Sequence, residues 1–301
     1  MKHTIFLRTA ILTFSLVFLH LLCCAQNTVT KTPLEPLSSG DIKVRFLGTG
    51  AADWKTKDER GECRRLSSIL IDDCVLIDLT SSAVDMLPKN CRVENIFYTH
   101  SHSDHFRPAA ALEVGIKCAY LSESWYERAR KKLDPKIEIV PLKVGQKVRV
   151  SGLDITALPA NHMTSDRNEQ ALIYLIEKGG NRILYATDTG GIMARAARLA
   201  GIDAHTKGKA INGLIMEATM GMDYDEDFRI YTHSSVGTVL RIFHVLEKTG
   251  RYVAPSAQPV FITHLARTLH PSQKELDSTL PQPLKAAYDG LEYVFKYVAE
   301  E

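Results

Sequence analysis

One heptapeptide constrains this chain more than any other stretch. The apolar run 93–98 breaks at Thr99-His100-Ser101-His102-Ser103-Asp104-His105, so three imidazoles and a carboxylate fall within six residues. Imidazole and carboxylate are the ligand types that suit Zn²⁺ and similar borderline divalent ions. Packed this closely, they cannot all reach one ion tetrahedrally. Side chains of an extended segment alternate in direction, so His100 and His102 face one ion while Asp104 and His105 face a second. A solvated loop is the competing reading, but 3 of the chain's 11 histidines lie here, a density that composition alone rarely produces.

The rest of the chain supplies strands to hold such a loop. Short apolar runs bounded by turn residues predict strands over 42–47, 68–71, 75–79 and 95–98, then 136–140, 146–150, 155–158 and 171–176, then 182–187, 213–217 and 259–263. Helix-like runs cover 122–133, 192–199 and 235–248. Lys178-Gly179-Gly180-Asn181 predicts a hairpin turn. No repeat of fixed 20–50-residue period appears. Strands alternating with helices predict an α/β fold of sheets covered by helices. At 45% hydrophobic and 24% charged, the 301 residues exclude a disordered or low-complexity chain. A net charge of +2 argues against a dedicated nucleic-acid grip.

The first 25 residues read as an export signal: a basic head (Lys2, His3, Arg8), an apolar core over 9–22, then the small residues Cys23-Cys24-Ala25. That core is shorter than the roughly 20 residues needed to span a bilayer. Cleavage after Ala25 leaves a neutral mature chain; a lipid anchor on Cys23 or Cys24 is the other outcome. The expected location is exported, periplasmic or cell-surface. Residues 26–40 are polar and read as a linker, and 41–301 as the folded domain. Cys63, Cys74, Cys91 and Cys118 could pair in an exported chain but lack Cys-x-x-Cys spacing; Cys74, Cys91 and Cys118, in apolar or strand-like contexts, are expected as buried free thiols.

The segment His100-x-His102-x-Asp104-His105 after an apolar strand resembles the signature of the metallo-β-lactamase superfamily. Phe46-Leu47-Gly48-Thr49-Gly50 is similar to that family's opening strand and turn, and Ala287-Tyr288-Asp289-Gly290-Leu291 to a late strand. Asn161-His162, Ala186-Thr187-Asp188-Thr189-Gly190 and Ile262-Thr263-His264 each follow a predicted strand where the family places further ligands. The likeness spans about residues 42–295. It implies an αββα sandwich of two mixed β-sheets flanked by helices, with metals at one edge. By the same resemblance His100, His102 and His162 hold a first ion. Asp104, His105 and His264 hold a second, and Asp188 bridges. The implied cofactors are two divalent metal ions, Zn²⁺ first, with Mn²⁺ or Fe²⁺ open. Water between two such ions loses its proton near neutral pH, and Asp104 is placed to orient it. No Gly-x-Ser-x-Gly motif offers a serine nucleophile instead.

The resemblance also narrows the reaction. True β-lactamases of this superfamily generally lack the bridging aspartate, so Asp188 points toward phosphodiesterases, lactonases or thioesterases. Leu214-Ile215-Met216-Glu217-Ala218-Thr219 and Tyr231-Thr232-His233-Ser234-Ser235 resemble segments of the tRNase Z branch and of the cyclic phosphodiesterase of phosphonate metabolism. Carried over, His233 is the general acid for the leaving group and Glu217 its orienting partner, chemistry that an imidazolium held by a carboxylate can perform. His233 as a mere neighbour of a Ser235 helix cap is the competing reading. Arg64 and Arg65 are candidates for a phosphate clamp, against a structural ion pair. No tRNA-holding arm is evident, and Cys63 alone does not make the Cys-rich metal site of the phosphonate relative. The expected substrate is therefore a small phosphodiester, cyclic ones included, rather than a nucleic acid polymer. A lactonase or β-lactamase-type carbonyl hydrolase and a non-catalytic metal-binding surface protein are the alternatives.

Overall fold

The computed structural model describes residues 38–297 other than 207, 225, 256 and 257. The export segment 1–25, with Cys23 and Cys24, and linker residues 26–37 lie outside the described residues. Six strands come first: β1 (Ile42–Gly48), β2 (Ser68–Ile71), β3 (Val75–Ile77), β4 (Asn95–Phe97), β5 (Cys118–Ser122) and β6 (Glu138–Leu142). Seven more follow: β7 (Lys147–Val150), β8 (Leu153–Pro159), β9 (Leu172–Lys178), β10 (Asn181–Ala186), β11 (Gly213–Glu217), β12 (Val260–Thr263) and β13 (Leu284–Ala286). A last strand, β14 (Glu292–Phe295), returns to pair with β1.

Two seven-stranded sheets result, ordered β14-β1-β2-β3-β4-β5-β6 and β13-β12-β11-β10-β9-β8-β7. The pairs from β14 to β3 are antiparallel and those from β3 to β6 parallel. The second sheet repeats the plan, parallel from β13 to β10 and antiparallel from β10 to β7. Most strands read as unbroken apolar runs because both faces are covered. One core lies between the sheets, where Ile42, Val44, Phe46 and Phe97 meet Ile155, Tyr174, Tyr185 and Phe261. Phe46 and Phe261 touch across it with ring centroids 5.3 Å apart. Each such fully buried side chain contributes about 1.5–3 kcal/mol.

The outer faces carry the helices. α1 (Pro108–Glu113) and α2 (Tyr126–Arg130) cover the first sheet. α3 (Ala194–Leu199), α4 (Val236–Lys248) and α5 (Gln273–Thr279) cover the second. α4 buries Val236, Val239, Phe243 and Leu246, the spacing of one helical face, and Ser235 caps it by accepting from the Thr238 N–H. The architecture is the expected αββα sandwich. Several elements differ from expectation. The helix predicted over 122–133 is a single 3₁₀ turn plus the short α2, since Ser122 still belongs to β5. The stretch 287–291, expected as a strand, is the turn between β13 and β14. All four described cysteines are free; Cys63 is exposed and the others half-buried, so full burial was the wrong expectation.

Candidate metal centre

Strands β4, β8, β10, β11 and β12 all run to the same edge of the sandwich, and the loops leaving their carboxyl ends carry the polar residues singled out above. This is where open α/β sheets commonly place ligands. Three of the six non-glycine residues with positive φ among the described residues sit at this edge: Asp78 (55°), Asp188 (48°) and His264 (54°). The left-handed turn swings each side chain off its strand end and in toward the others.

Seven side chains converge there. His100 Nε2 lies 2.9 Å from His102 Nδ1, and His162 Nε2 lies 3.2 Å from the same atom. His105 Nε2 lies 3.3 Å from His264 Nε2, and Asp104 Oδ2 is 3.4 and 3.6 Å from those two nitrogens. Asp188 spans both groups. Its Oδ2 is 2.8 Å from His105 and 3.3 Å from His264, while its Oδ1 is 3.8 Å from His162. Donors bound at about 2.0–2.1 Å around a tetrahedral ion stand about 3.3 Å from one another, the spacing seen here.

The partners of the other ring nitrogens fix the tautomers. His105 Nδ1–H donates to Asp78 Oδ2 at 2.7 Å, and His162 Nδ1–H to the Thr232 carbonyl at 3.2 Å. His264 Nδ1–H donates to Thr219 Oγ1 at 2.8 Å; that hydroxyl in turn donates to Glu217. His100 Nδ1–H donates to Thr99 Oγ1 at 3.0 Å, and Thr99 donates on to Asp78 at 2.7 Å. Each of these rings therefore turns its Nε2 inward, and His102 turns its Nδ1. Inward-facing nitrogens and carboxylate oxygens at ligand–ligand spacing, with four of the five rings oriented by a hydrogen bond from their outer nitrogen, fit a pair of metal ions.

The electrostatics agree. Burial and the neighbouring imidazoles hold His100 well below the ordinary histidine pKa, and burial lowers that of His102. Both are thus neutral and free to ligate. Burial also opposes a charge on His105, but the carboxylates of Asp188, Asp104 and Asp78 raise its pKa well above the ordinary value. Three carboxylates around one imidazole mark a place that demands positive charge. Burial opposes ionisation of Asp104 and Asp188 too, yet the surrounding histidines hold both ionised far below the usual range.

His233 stands beside this set. Its Nδ1–H is shared by the Glu217 oxygens at 3.1 and 3.2 Å and lies 3.7 Å from Asp188 Oδ1. Burial disfavours its charge, but the Glu217 carboxylate carries its pKa up to about 9. Glu217 is fully buried and also accepts from the Thr189 N–H at 2.5 Å.

Arg64 and Arg65 are not brought to the cluster. Arg64 is buried and donates to Thr49 Oγ1, the Ala287 carbonyl and Gln273 Oε1 at 2.9, 2.9 and 2.7 Å. Arg65 forms a two-pronged pair with Asp85 at 2.9 and 2.6 Å. Their forks are filled by the protein, so the expected phosphate clamp gives way to the structural reading. Two other groups went unread in the sequence. Asp78 was hidden inside the strand predicted over 75–79, where a lone carboxylate in an apolar run was the available signal. Glu169 accepts from Ser101 N–H (2.7 Å), Ser101 Oγ (2.6 Å), Thr164 Oγ1 (3.0 Å) and Arg128, and so ties down the backbone between His100 and His102. It lies in a polar loop with no motif to mark it.

Two seven-stranded sheets layered between helices, with a His/Asp cluster at one edge, make up the metallo-β-lactamase fold. A family profile described as a beta-lactamase superfamily domain matches residues 76–206, and the chain has the metallo-β-lactamase fold. Among solved structures, the metallo-β-lactamase fold protein YhfI from Bacillus subtilis superposes with a TM-score of 0.62 at 16% identity, covering 85% of this chain and 99% of that one. A diphosphatase of the PhnP family gives 0.57 at 17% identity, covering 85% and 97%. The short form of human tRNase Z gives 0.57 at 16% identity, covering 85% and 100%. At these identities the likeness is one of fold. No match is found among curated proteins.

Proposed function

We propose that this chain is a dinuclear metal-dependent hydrolase of small phosphodiesters, cyclic ones included. The observation that carries the reading is the His233–Glu217 pair, 3.1 Å apart and directly beside the metal-donor cluster. Two fold neighbours, the PhnP-family diphosphatase and tRNase Z, are phosphorus–oxygen hydrolases by name. His100, His102 and His162 would hold one ion and Asp104, His105 and His264 the other, with Asp188 reaching both. Bound ions supply Lewis acidity and lower the pKa of water toward neutrality; zinc suits the donors best.

The chain's own residues do the rest. Asp104 accepts a hydrogen bond from the attacking water and orients it. Glu217 fixes His233 with Nδ1–H toward the carboxylate, so that Nε2 carries a proton toward the incoming ester. An alkoxide leaves badly unless protonated, and His233 donates that proton as the P–O bond breaks. Asp223 and Glu226, on the loop before this segment, would repel a long polyanion, which favours a small substrate.

The test is a turnover screen of the purified chain, loaded with Zn²⁺ or Mn²⁺, on bis(p-nitrophenyl) phosphate, 2′,3′-cyclic nucleotides, lactones and β-lactams. Metal-dependent hydrolysis of diesters is expected. His233→Ala should cost roughly 10²–10⁴-fold on the cyclic nucleotide and much less on the p-nitrophenyl ester, whose leaving group needs no acid. Turnover of lactones or β-lactams with no diester hydrolysis overturns the proposal.

A further inference from the structure

The wall of the site beside His233 is rigid, yet it holds large apolar side chains out in water. Three loops are stapled into it. Asn161 N–H donates to Thr189 Oγ1 and Asn161 Nδ2 to the Gly190 carbonyl, both at 3.0 Å. Ser234 Oγ donates to the Thr189 carbonyl at 2.8 Å and accepts from the Gly191 N–H at 3.1 Å. His162 reaches the Thr232 carbonyl at 3.2 Å. The packing at Gly190 is so close that a Cβ there would lie 2.6 Å from the Ile230 carbonyl oxygen. Flexibility therefore does not account for what these loops expose. Met163, next to the ligand position His162, is 75% exposed; Phe228 and Tyr231, just ahead of His233, are 78% and 75% exposed.

Phe228 and Tyr231 are the first and last residues of one 3₁₀ turn, Phe228–Tyr231. Residues three apart in a 3₁₀ helix eclipse one another, so the two rings share a face. Met163 follows His162, whose ring meets the carbonyl of Thr232, the residue after Tyr231, so the two segments lie side by side. Exposed apolar side chains gathered at one place mark a binding surface. These three suit a single ring or short apolar chain, well below the roughly 800 Å² per partner of a stable protein interface. Methionine and aromatic rings are also the side chains that grip flat groups best.

We propose that the substrate's esterifying group is aromatic or otherwise apolar and rests on Met163, Phe228 and Tyr231 while its phosphate sits at the metal centre. The inference builds on the phosphodiesterase reading and adds the chemistry of the organic group. Two monoesterlike anions separate them: phenylphosphonate and methylphosphonate present the same oxygens and charge and differ only in the apolar group. Binding of each to the full Zn²⁺-loaded chain is measured by calorimetry, alongside diester turnover.

Phenylphosphonate should bind at least tenfold more tightly than methylphosphonate. In the double variant Phe228→Ala, Tyr231→Ala that ratio should fall below threefold, through loss of phenylphosphonate affinity. The replaced side chains are mostly in water, so the variant should keep its fold, and its zinc content checks this. Equal affinity for the two anions in the native chain, or a ratio that survives the double substitution, overturns the inference and leaves the diesterase reading standing. No binding of either anion together with no diester turnover removes both.

Discussion

Glu169 offers the sharpest test of how the ligand loop is held. Its side chain is fully buried and gathers four donors: Ser101 N–H, Ser101 Oγ, Thr164 Oγ1 and Arg128. Glu169→Ala removes every acceptor at once. The Ser101 N–H is then left unpaired at about 1–3 kcal/mol, and the charge-assisted bond to Arg128 is lost at about 1.5–3 kcal/mol. Arg128 keeps 30% of its side chain in water and a second partner in Asp166, so part of this is recovered. The expected total is about 3–5 kcal/mol, read from urea unfolding. Glu169→Gln keeps the shape and one acceptor oxygen but turns an NH₂ toward a donor, and should cost about 1–2 kcal/mol. The functional consequence is selective. Ser101 sits between His100 and His102, so a loosened backbone should weaken the ion held with His162 about 10–100-fold. His105 and His264 are anchored by Asp78 and Thr219 instead, so the second ion is the internal control. Titration of the apo chain against a chromophoric chelator reads the two affinities separately. Both variants retaining two equivalents of metal at native affinity would refute the reasoning.

Arg64→Ala should destabilise by about 2–4 kcal/mol, since it orphans Thr49, Gln273 and the Ala287 carbonyl around a buried guanidinium. Arg65→Ala should cost under about 1 kcal/mol, because its pair with Asp85 is largely exposed; a large loss of kcat/KM in either well-folded variant would restore the phosphate-clamp role. Burial raises the pKa of Asp41, but the Tyr297 and Ser38 N–H groups (3.0 Å each) outweigh it and lower the value to about 2. A carboxylate depressed in the folded state stabilises above its unfolded pKa of about 4 and loses that stabilisation as pH falls through 2. Asp41→Asn should therefore lower unfolding stability by about 1–2 kcal/mol at pH 7, with the gap to the native chain closing steadily between pH 4 and 2.

What could be read in advance follows a physical division. Alternating apolar runs and turns announce a sandwich because a strand buried on both faces has little freedom in composition, as in 172–178 and 181–186. The candidate metal donors are legible because ligation admits so few side-chain types: His100, His102, Asp104 and His105 stand together, and His162, Asp188 and His264 each follow a strand. Short elements escaped. α1 and α5, of six and seven residues, span too few turns to show a helical period, and β13 and β14 are three and four residues long. Glu169 and Arg64 could not be assigned at all, for a charged residue's role depends on which partners the fold delivers. A guanidinium already filled by Gln273 and two oxygens looks, in sequence, the same as one waiting for phosphate.

The backbone at the centre joins these strands of reasoning. Asp78, Asp188 and His264 hold positive φ, a region that non-glycine residues enter at a cost of order 1–3 kcal/mol each. Aspartate tolerates it better than most residues and histidine somewhat so, yet glycine would fit all three turns more comfortably. Glycine is absent because each turn must deliver a charged or ligating side chain to a fixed point. Asp188 must place one oxygen against His105 and His264 and the other toward His162, while Asp78 must fix the tautomer of His105. The surrounding structure enforces the strain: the parallel register runs to Ala186 in β10, two residues before Asp188, and to Thr263 in β12, directly before His264, while Glu217 holds the Thr189 N–H and Thr219 the His264 ring. Strain so consistently directed at one point is explained by a ligand that rewards it. The apo chain should therefore be less stable at this edge than the loaded one, because without ions it keeps the distorted turns and lacks the binding that offsets them.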